Sequence, residues 1–443
     1  MTDLQIHLTT FNCGRAYVHR DYFASSLYSS LNKPGQLPPD LLVLTLQEIA
    51  PIGAAFLGGS LLAPYFAKVI EAVEKATRKG VEHVISRNAG MTGILVFAKK
   101  EVKDRIRWIE EGGTGVGLWE MGNKGAVGIR LGLEGEDEDD TAVTFVAAHL
   151  APMEDAVERR NEDWKNICET LVFEPVQGRA LAGSEESEPL LPSPESSTPP
   201  SQRTKQPNGL FTPPTHIFFA GDLNYRTSNI APDPKDFTTW PQPMTESTDP
   251  THYTQLLSHD QLTSQRSANK TLHNLSEARI AFPPTYKYSS RAQKLAEETA
   301  NAHLPSSKTD EEFLKLDEIQ EQVWLWAKHR MPSWCDRVLF LKEAPPKKVH
   351  QYTALPVQPT SDHRPVVFSC SIPDKAVKAT VKPPFEIAKD FKERRVAARR
   401  LEFIVGLGAY LGFTGQGQTL LGGTAVGIVA GYFLLQYLVG GGA

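Results

Sequence analysis

Residues 218–226 read FFAGDLNYR: an apolar run, Phe218–Ala220, that passes through Gly221 into the polar string Asp222, Leu223, Asn224, Tyr225, Arg226. An apolar segment of strand length that ends in a carboxylate and an amide presents chemistry at the rim of a rigid scaffold. On a short extended segment Asp222 and Asn224, two positions apart, point the same way. A carboxylate beside an amide on one face suits the activation and orientation of a water molecule. The same design recurs outward from this stretch in both directions. Asn12 ends LQIHLTTF, Gln47-Glu48 follows DLLVLTL, and His149 follows VTFVAA. Further on, PSWCDRVLF (332–340) opens a strand with Asp336 and Arg337, and SDHRP (361–365) sets Asp362 and His363 before PVVFS. Each motif is weak alone, because a lone strand-end His is more often structural and a strand-end Glu is usually exposed.

The apolar runs give the architecture. Leu4–Phe11, Leu41–Leu46, Gly93–Phe97, Ala126–Leu131, Val143–Ala148, Ile217–Ala220, Val338–Leu341 and Pro365–Ser369 have strand character. Leu61–Ala76 is amphipathic, and Glu154–Phe173 and Glu311–Lys328 have helical composition. Many strands at irregular spacing predict an α/β two-sheet sandwich with outer helices rather than a regular alternation of strand and helix. Residues 1–374 read as one domain. EGEDEDD at 134–140 reads as a solvated hairpin tip, and the Ser-, Pro- and Glu-rich stretch at about 182–214 as a disordered insertion.

Bulk properties exclude several classes. The chain has 443 residues, 40% of them hydrophobic, and a formal net charge of -5, so a globally basic nucleic-acid footprint is missing. The cysteines, Cys13, Cys168, Cys335 and Cys370, are scattered without a CxxC pair, which suits a reducing compartment and argues against a zinc site or a disulfide scaffold. The first residues, MTDLQIHLTTFN, lack the basic-then-apolar pattern of a secretory signal.

The C-terminal part differs. Residues 375–400 form a basic linker ending in KERRVAARR, and 401–443 carry one charged residue, Glu402. Thr419–Val439 is apolar for a length that spans a bilayer, with Gly423, Gly427 and Gly431 every fourth position. Basic residues just before such a span stay cytosolic and attract anionic lipid. The expectation is a membrane-anchoring tail at 401–443 that crosses once, or turns as a hairpin with Leu401–Phe413. Residues 1–374 then face the cytosol, and the endoplasmic reticulum fits a tail with little after its span.

Nine motifs in order, TFN, LQE, MGNKGAVGIRL, AAHLAP, ERRNEDW, FFAGDLNYR, FPPTYKY, RMPSWCDRVLF and SDHRPVVF, cover residues 1–374. Together they resemble the inositol polyphosphate 5-phosphatase family, within the wider superfamily of DNase I and exonuclease III. The resemblance implies a four-layer α/β/β/α sandwich. It implies magnesium held by Glu48 with Asn12 and with Asp362 nearby, and a water positioned by Asp222 beside Asn224. His363, oriented by Asp336, contacts the scissile phosphate, as does His149. Asn123 and Lys124 belong to the rim. A 4-phosphate is read by Tyr286, Lys287, Lys328 and Arg330, and Arg337 is counted with the substrate-binding cations. The implied reaction is removal of the 5-phosphate of a phosphoinositide, most simply phosphatidylinositol 4,5-bisphosphate, with no nucleic-acid partner. The alternatives are the same chemistry on soluble inositol polyphosphates, or a catalytically silent membrane-anchored phosphoinositide binder. One departure from the family pattern is Gly14, where a second Asn or Asp is usual, and its absence lowers the expected metal affinity. Another is the long segment 290–321 before PSWCDR.

Overall fold

In the computed structural model, residues 3–33, 35–135, 139–176, 208–233, 235–243, 245–303 and 323–440 are described. The strands in chain order are β1 Leu4–Asn12, β2 Leu41–Gln47, β3 Glu82–Ala89, β4 Thr92–Ala98, β5 Ile106–Gly115, β6 Gly125–Leu133, β7 Thr141–His149, β8 Glu174–Pro175, β9 His216–Asp222, β10 Leu275–Glu277, β11 Asp336–Leu341, β12 Lys348–Ala354 and β13 Val366–Ile372. The helices are α1 Arg20–Leu31, α2 Ile52–Leu57, α3 Ala63–Ala76, α4 Lys100–Lys103, α5 Val157–Thr170, α6 Tyr253–Leu257, α7 Gln261–Ser267, α8 Ser290–His303, α9 Phe391–Phe413 and α10 Gly415–Gly440.

The strands form two sheets, in the order β12-β13-β1-β2-β4-β3 and β10-β11-β9-β7-β6-β5-β8. Strand alternation explains how they stack. Leu4, Ile6 and Leu8 of β1 and Phe218 and Ala220 of β9 share one buried cluster with Phe145, Val338 and Phe368, which fills the space between the sheets. The odd faces turn outward. Phe11 packs with Phe23 and Leu27 of α1 and Val69 of α3, while Phe219 packs with Trp164 and Ile167 of α5. The result is helix, sheet, sheet, helix.

Several expectations need correcting. The amphipathic stretch begins as a helix at Ala63, after a short 3-10 turn at Gly59–Leu61. Of the expected disordered insertion, 182–207 lies outside the described residues. Asn208–Pro214 is ordered, because Leu210 and Phe211 are buried against the α5 layer. The expected helix at Glu311–Lys328 lies outside the described residues up to 322. From Val323 the chain is irregular, with Trp324 and Trp326 packed in an aromatic cluster that fixes it without a helix. The expected long loop after 290 opens instead as α8.

The division expected at 400/401 falls inside α9, one continuous helix of 23 residues. This helix lies on the catalytic domain. Gly406 meets Phe56, and Gly53 meets the backbone at Tyr410, so closely that a Cβ at either glycine would lie 2.8 Å and 3.1 Å from its neighbour. Small residues at such points allow two helices to approach. Leu401 and Val405 add to the outer core. Leu401–Phe413 is thus packed on α2 along one face, while Ile404, Leu407 and Phe413 remain exposed. Gly415–Gln436, within α10, is long and apolar enough to cross a membrane, and beyond Gly417 it is exposed.

Candidate active site

Sheet register assembles the site. Asn12 pairs with Gln47 at the end of β1 and β2. Across the second sheet, His149 of β7 pairs with Asp222 of β9, and Asp222 pairs with Asp336 of β11. Asn12, His149, Asp222 and Asp336 all fall on the inward face of their strands, in step with the inter-sheet core residues below them. The core therefore turns polar at one end of the sandwich. Asn12, His149, Asp222, Asp336 and His363 are each 4% exposed or less.

A cleft of about 200 Å³ opens there, lined by Asn12, Arg15, Glu48, Lys124, His149, Pro152 and Asp222. Asn224, Arg226, Tyr286, Lys287, Asp362 and His363 complete it. Asn12 Nδ2 donates to Asp222 Oδ2 at 2.9 Å. His149 Nε2 lies 3.2 Å from the same oxygen, and Lys124 Nζ contacts the His149 ring. His363 Nδ1 and Asp336 Oδ2 are 2.9 Å apart, and Thr285 Oγ1 donates to that oxygen at 2.6 Å. Glu48, left-handed at φ 46° just past β2, turns its carboxylate into the cleft, where Arg15 Nε donates to Oε2 at 2.7 Å and Lys124 Nζ lies 3.8 Å from Oε1.

These neighbours set the charge states. Burial alone would raise the Asp222 carboxyl, but His363, His149 and Lys124 hold it far below the usual carboxylate range. Burial likewise opposes ionisation of Glu48, and the Lys124 and Arg15 cations overcome it. Burial raises Asp336. The His363 imidazole, which burial would lower, is lifted to about 9 by Asp336 and Asp222. Burial and the Lys124 charge lower His149, so it is the neutral imidazole of the pair. The site thus combines one protonated imidazole, one neutral imidazole and a set of ionised carboxylates.

The oxygen donors fit a hard cation. Glu48, Asn12, Asp222 and Asp362 line one cleft, and hard divalent ions take carboxylate and amide oxygens. Ligand atoms of Asp222, Asp336 and His363 also lie within 4.8 Å of one another and could hold a metal, although Asp336 and His363 already bond to each other. Gly14 has φ +64°, and a Cβ there would lie 2.9 Å from Thr360 O. Asn or Asp at this place would collide with the loop that carries Asp362 and His363. Gly14 instead donates its amide to Asn12 Oδ1 at 3.1 Å and orients that side chain.

The other expected residues divide. Asn224 lines the cleft, but not by strand alternation. β9 ends at Asp222, and Asn224 is left-handed at φ 58°, with Nδ2 donating to Leu150 O at 3.1 Å. Lys287 pairs with Asp362 at 2.8 Å. Tyr286 packs against His363, the rings tilted by 40° with centroids 4.5 Å apart. Lys328 lies outside this cleft, its Nζ 3.9 Å from the Phe237 ring centroid. It lines a neighbouring cavity of about 780 Å³, which shares Lys287 and Asp362 with the cleft. Arg330 is held by Glu154 at 3.1 Å. Asn123 does not line the cleft, because its side chain turns toward Gly117.

Arg337 is a correction. It faces the outer layer of β11, with no exposed surface, bound to Asp260 at 3.0 Å and to Glu277 at 2.6 Å. Next to an inward Asp336, the following strand residue must point away. Two cations were missed. Arg15 and Arg226 both line the cleft, and Arg226 lies over the Tyr286 ring at 4.3 Å. Arg226 stands two positions after Asn224 in the stretch that decides the fold, which was the available signal.

The family profile described as Endonuclease/Exonuclease/phosphatase family 2 matches residues 9–369. The chain is similar to Type I inositol polyphosphate 5-phosphatase 13 of Arabidopsis thaliana, 26% identical over 353 residues, covering 76% of this chain and 27% of that one. It is 29% identical over 279 residues to phosphatidylinositol 3,4,5-trisphosphate 5-phosphatase 1 of Homo sapiens, covering 62% and 18%. It is 27% identical over 334 residues to Type II inositol 1,4,5-trisphosphate 5-phosphatase of Mus musculus, covering 74% and 26%. The chain spans less than a third of the length of each of these relatives. Among solved structures, the 5-phosphatase domain of SPsynaptojanin, in complex with inositol (1,4)-bisphosphate and a calcium ion, shares the fold at TM-score 0.56 and 20% identity, covering 91% of this chain and 90% of that one. The chain belongs to the endonuclease/exonuclease/phosphatase family 2 and, within it, is a relative of the inositol polyphosphate 5-phosphatases.

Proposed function

We propose that the protein removes the 5-phosphate of a phosphoinositide, phosphatidylinositol 4,5-bisphosphate first among them, with magnesium, at the cytosolic face of a membrane to which its C-terminal helix anchors it. The observation that carries this reading is the buried row His149, Asp222, Asp336 with His363 against it, opening into a cleft that holds both carboxylates and cations.

Each side chain has a part. Asp222, ionised and a weak proton acceptor, orients the attacking water by accepting its hydrogen bond, with Asn12 fixing the carboxylate. His363, kept protonated by Asp336, donates to an oxygen of the scissile phosphate where charge grows in the transition state. Lys124 adds a second cation on the opposite wall, and neutral His149 sits between it and Asp222. Glu48, with Asn12 and Asp362, would hold the magnesium ion, which when bound supplies charge neutralisation for the phosphate oxygens. The neighbouring cavity takes the ring and its 4-phosphate. Lys287 and Lys328 line it, with Tyr286 on the cleft side, and Arg330 would join them on leaving its Glu154 partner. Binding a phosphate that is not cleaved positions the one that is.

A second reading is the same chemistry on soluble inositol phosphates, favoured by the trisphosphate in the name of the mouse relative. The test uses the full chain on vesicles containing phosphatidylinositol 4,5-bisphosphate and, separately, on inositol 1,4,5-trisphosphate. Each is run with magnesium, with chelator and with Asp222→Ala. Release that needs both magnesium and Asp222 upholds the reaction, and the ratio of the two rates decides the substrate. A folded chain releasing phosphate from neither is a silent binder.

A further inference from the structure

The loop that delivers Lys124 to the cleft is gripped from outside the catalytic sandwich. Residues 116–124 close as a hairpin, with Val116 N donating to Lys124 O at 2.8 Å and Gly117 N to Met121 O at 3.1 Å. At its tip Trp119 and Glu120 are both left-handed, at φ 52° and 59°. Two successive non-glycine residues in that region are strained and persist only where surrounding contacts hold them. Helix α9 makes those contacts. Arg394 pairs with Glu120. Eight residues on, and so on the same face of the helix, Glu402 accepts from the Gly122 amide at 2.6 Å through Oε1. The Gly122 carbonyl in turn accepts from Met91 N at 2.8 Å. Both backbone polar groups of Gly122 are thus held two residues before Lys124. Gly122 permits it, because a Cβ there would lie 2.8 Å from Gly90 and 3.0 Å from Glu402 Oε1.

Glu402 is only 6% exposed. Its second oxygen takes Arg399 Nη1 at 2.7 Å, and the same nitrogen donates to Phe56 O at 3.0 Å, at the end of α2. A buried carboxylate on a helix of otherwise apolar continuation is costly without such partners; here one partner belongs to the loop that carries a site cation, and the other, Arg399 of the same helix, links the carboxylate to the helix that follows Glu48. Four basic residues near the start of α9 are committed within the protein rather than left for lipid. Lys392 meets Glu174 at 3.5 Å, Arg394 meets Glu120 and Arg399 meets Glu402, while Arg395 also has its interactions within the chain.

We infer that Glu402 is a positioning residue for the phosphatase site: docked on α9, it fixes the Gly122–Lys124 backbone and so holds the Lys124 ammonium against His149 and Glu48. This rests on the reaction proposed above. A displacement of about 1 Å in a group that meets the transferring phosphate costs up to about a hundredfold in rate.

The experiment is a double-mutant cycle in the full chain. It compares Glu402→Ala, Glu402→Gln, Lys124→Ala and Glu402→Ala with Lys124→Ala, with kcat, KM and thermal midpoint measured for each. Amide hydrogen exchange is followed at Gly122–Lys124. Glu402→Ala should lower kcat about tenfold or more with KM little changed. Glu402→Gln, whose amide oxygen still accepts from Gly122, should keep most of the rate. In the Lys124→Ala background, Glu402→Ala should cost nothing further, because its effect passes through Lys124. Exchange at Gly122–Lys124 should quicken in Glu402→Ala while β1 stays protected. Additive losses, or a wild-type kcat in Glu402→Ala, overturn the inference. If the parent chain releases no phosphate from any inositol substrate, the reaction reading fails by itself. The exchange measurement then decides positioning, with unchanged exchange in Glu402→Ala counting against it.

Discussion

Asp336 and Arg337 are neighbours on β11, both with no exposed surface, and they serve opposite sides of one sheet. Asp336 faces the inter-sheet side, where it meets His363 and lifts its imidazole. Arg337 faces the outer layer, where it satisfies Asp260 and Glu277, and Tyr352 donates to Glu277 Oε1 at 2.7 Å. The front cluster is open to a cleft and carries charge that a substrate would meet. The rear cluster is closed, and its charges cancel within it, because Arg266, 3.5 Å from Glu277, supplies the second cation. Adjacent letters of one motif therefore divide into chemistry and scaffold, and strand alternation alone does the dividing.

Substitution can break this contrast. The largest effect belongs to the front. Asp222→Asn should lower kcat about 10⁴-fold, about 5 kcal/mol of barrier, while its thermal midpoint stays near that of the parent. A parallel collapse of the thermal midpoint would erase the distinction. At the rear, Arg337→Met leaves Asp260 and Glu277 buried without their shared cation, and urea unfolding should show a loss of about 4 kcal/mol. Activity per folded molecule should stay unchanged, and a specific loss of kcat would return Arg337 to the site.

A pH profile sharpens the comparison further. The Asp336 carboxylate raises His363 to about 9, so a rate that needs the imidazolium should be present below that pH and fall as pH rises through it. Asp336→Asn removes the raising charge. The basic limb of kcat should then move to lower pH, toward the ordinary histidine range, with a smaller loss at neutral pH than Asp222→Asn shows. A limb that stays in place would separate Asp336 from His363. The smallest effect is expected at Lys328, which rests on Phe237 in the neighbouring cavity. Lys328→Ala should raise KM about threefold and leave kcat and stability alone.

What was legible in the sequence follows the same physics. The eight apolar runs became β1, β2, β4, β6, β7, β9, β11 and β13, strands buried inside the two sheets. The strands that escaped notice are mostly edges. β3 and β12 bound the first sheet and β10 and β8 the second, and their sequences EHVISRNA and KVHQYTA are half polar because one side of an edge faces water. Beside the short β8, β5 carries Glu110, Glu111 and three glycines, which hide its period. Asp222, Asp336 and His149 were readable because each stands at the end of a buried strand. Arg15 was not, because it sits in the loop beyond β1 with nothing apolar to frame it. The docking of α9 was hidden for another reason. Glu402 is the last charged residue before a long apolar stretch, and its partner Gly122 lies 280 residues away in sequence.

The joint between α9 and α10 has a consequence for how such an enzyme would meet its substrate. With α9 packed on the sandwich, only Thr414 separates the docked helix from the apolar one. Enzymes on long flexible tethers sweep a wide area and gain their substrate by loose proximity. Here the leash has almost no slack. If α10 sits in a bilayer and the proposed lipid is the substrate, the cleft would sample a small and nearly fixed height, and supply would be set by lipids diffusing past a stationary mouth rather than by the enzyme reaching for them.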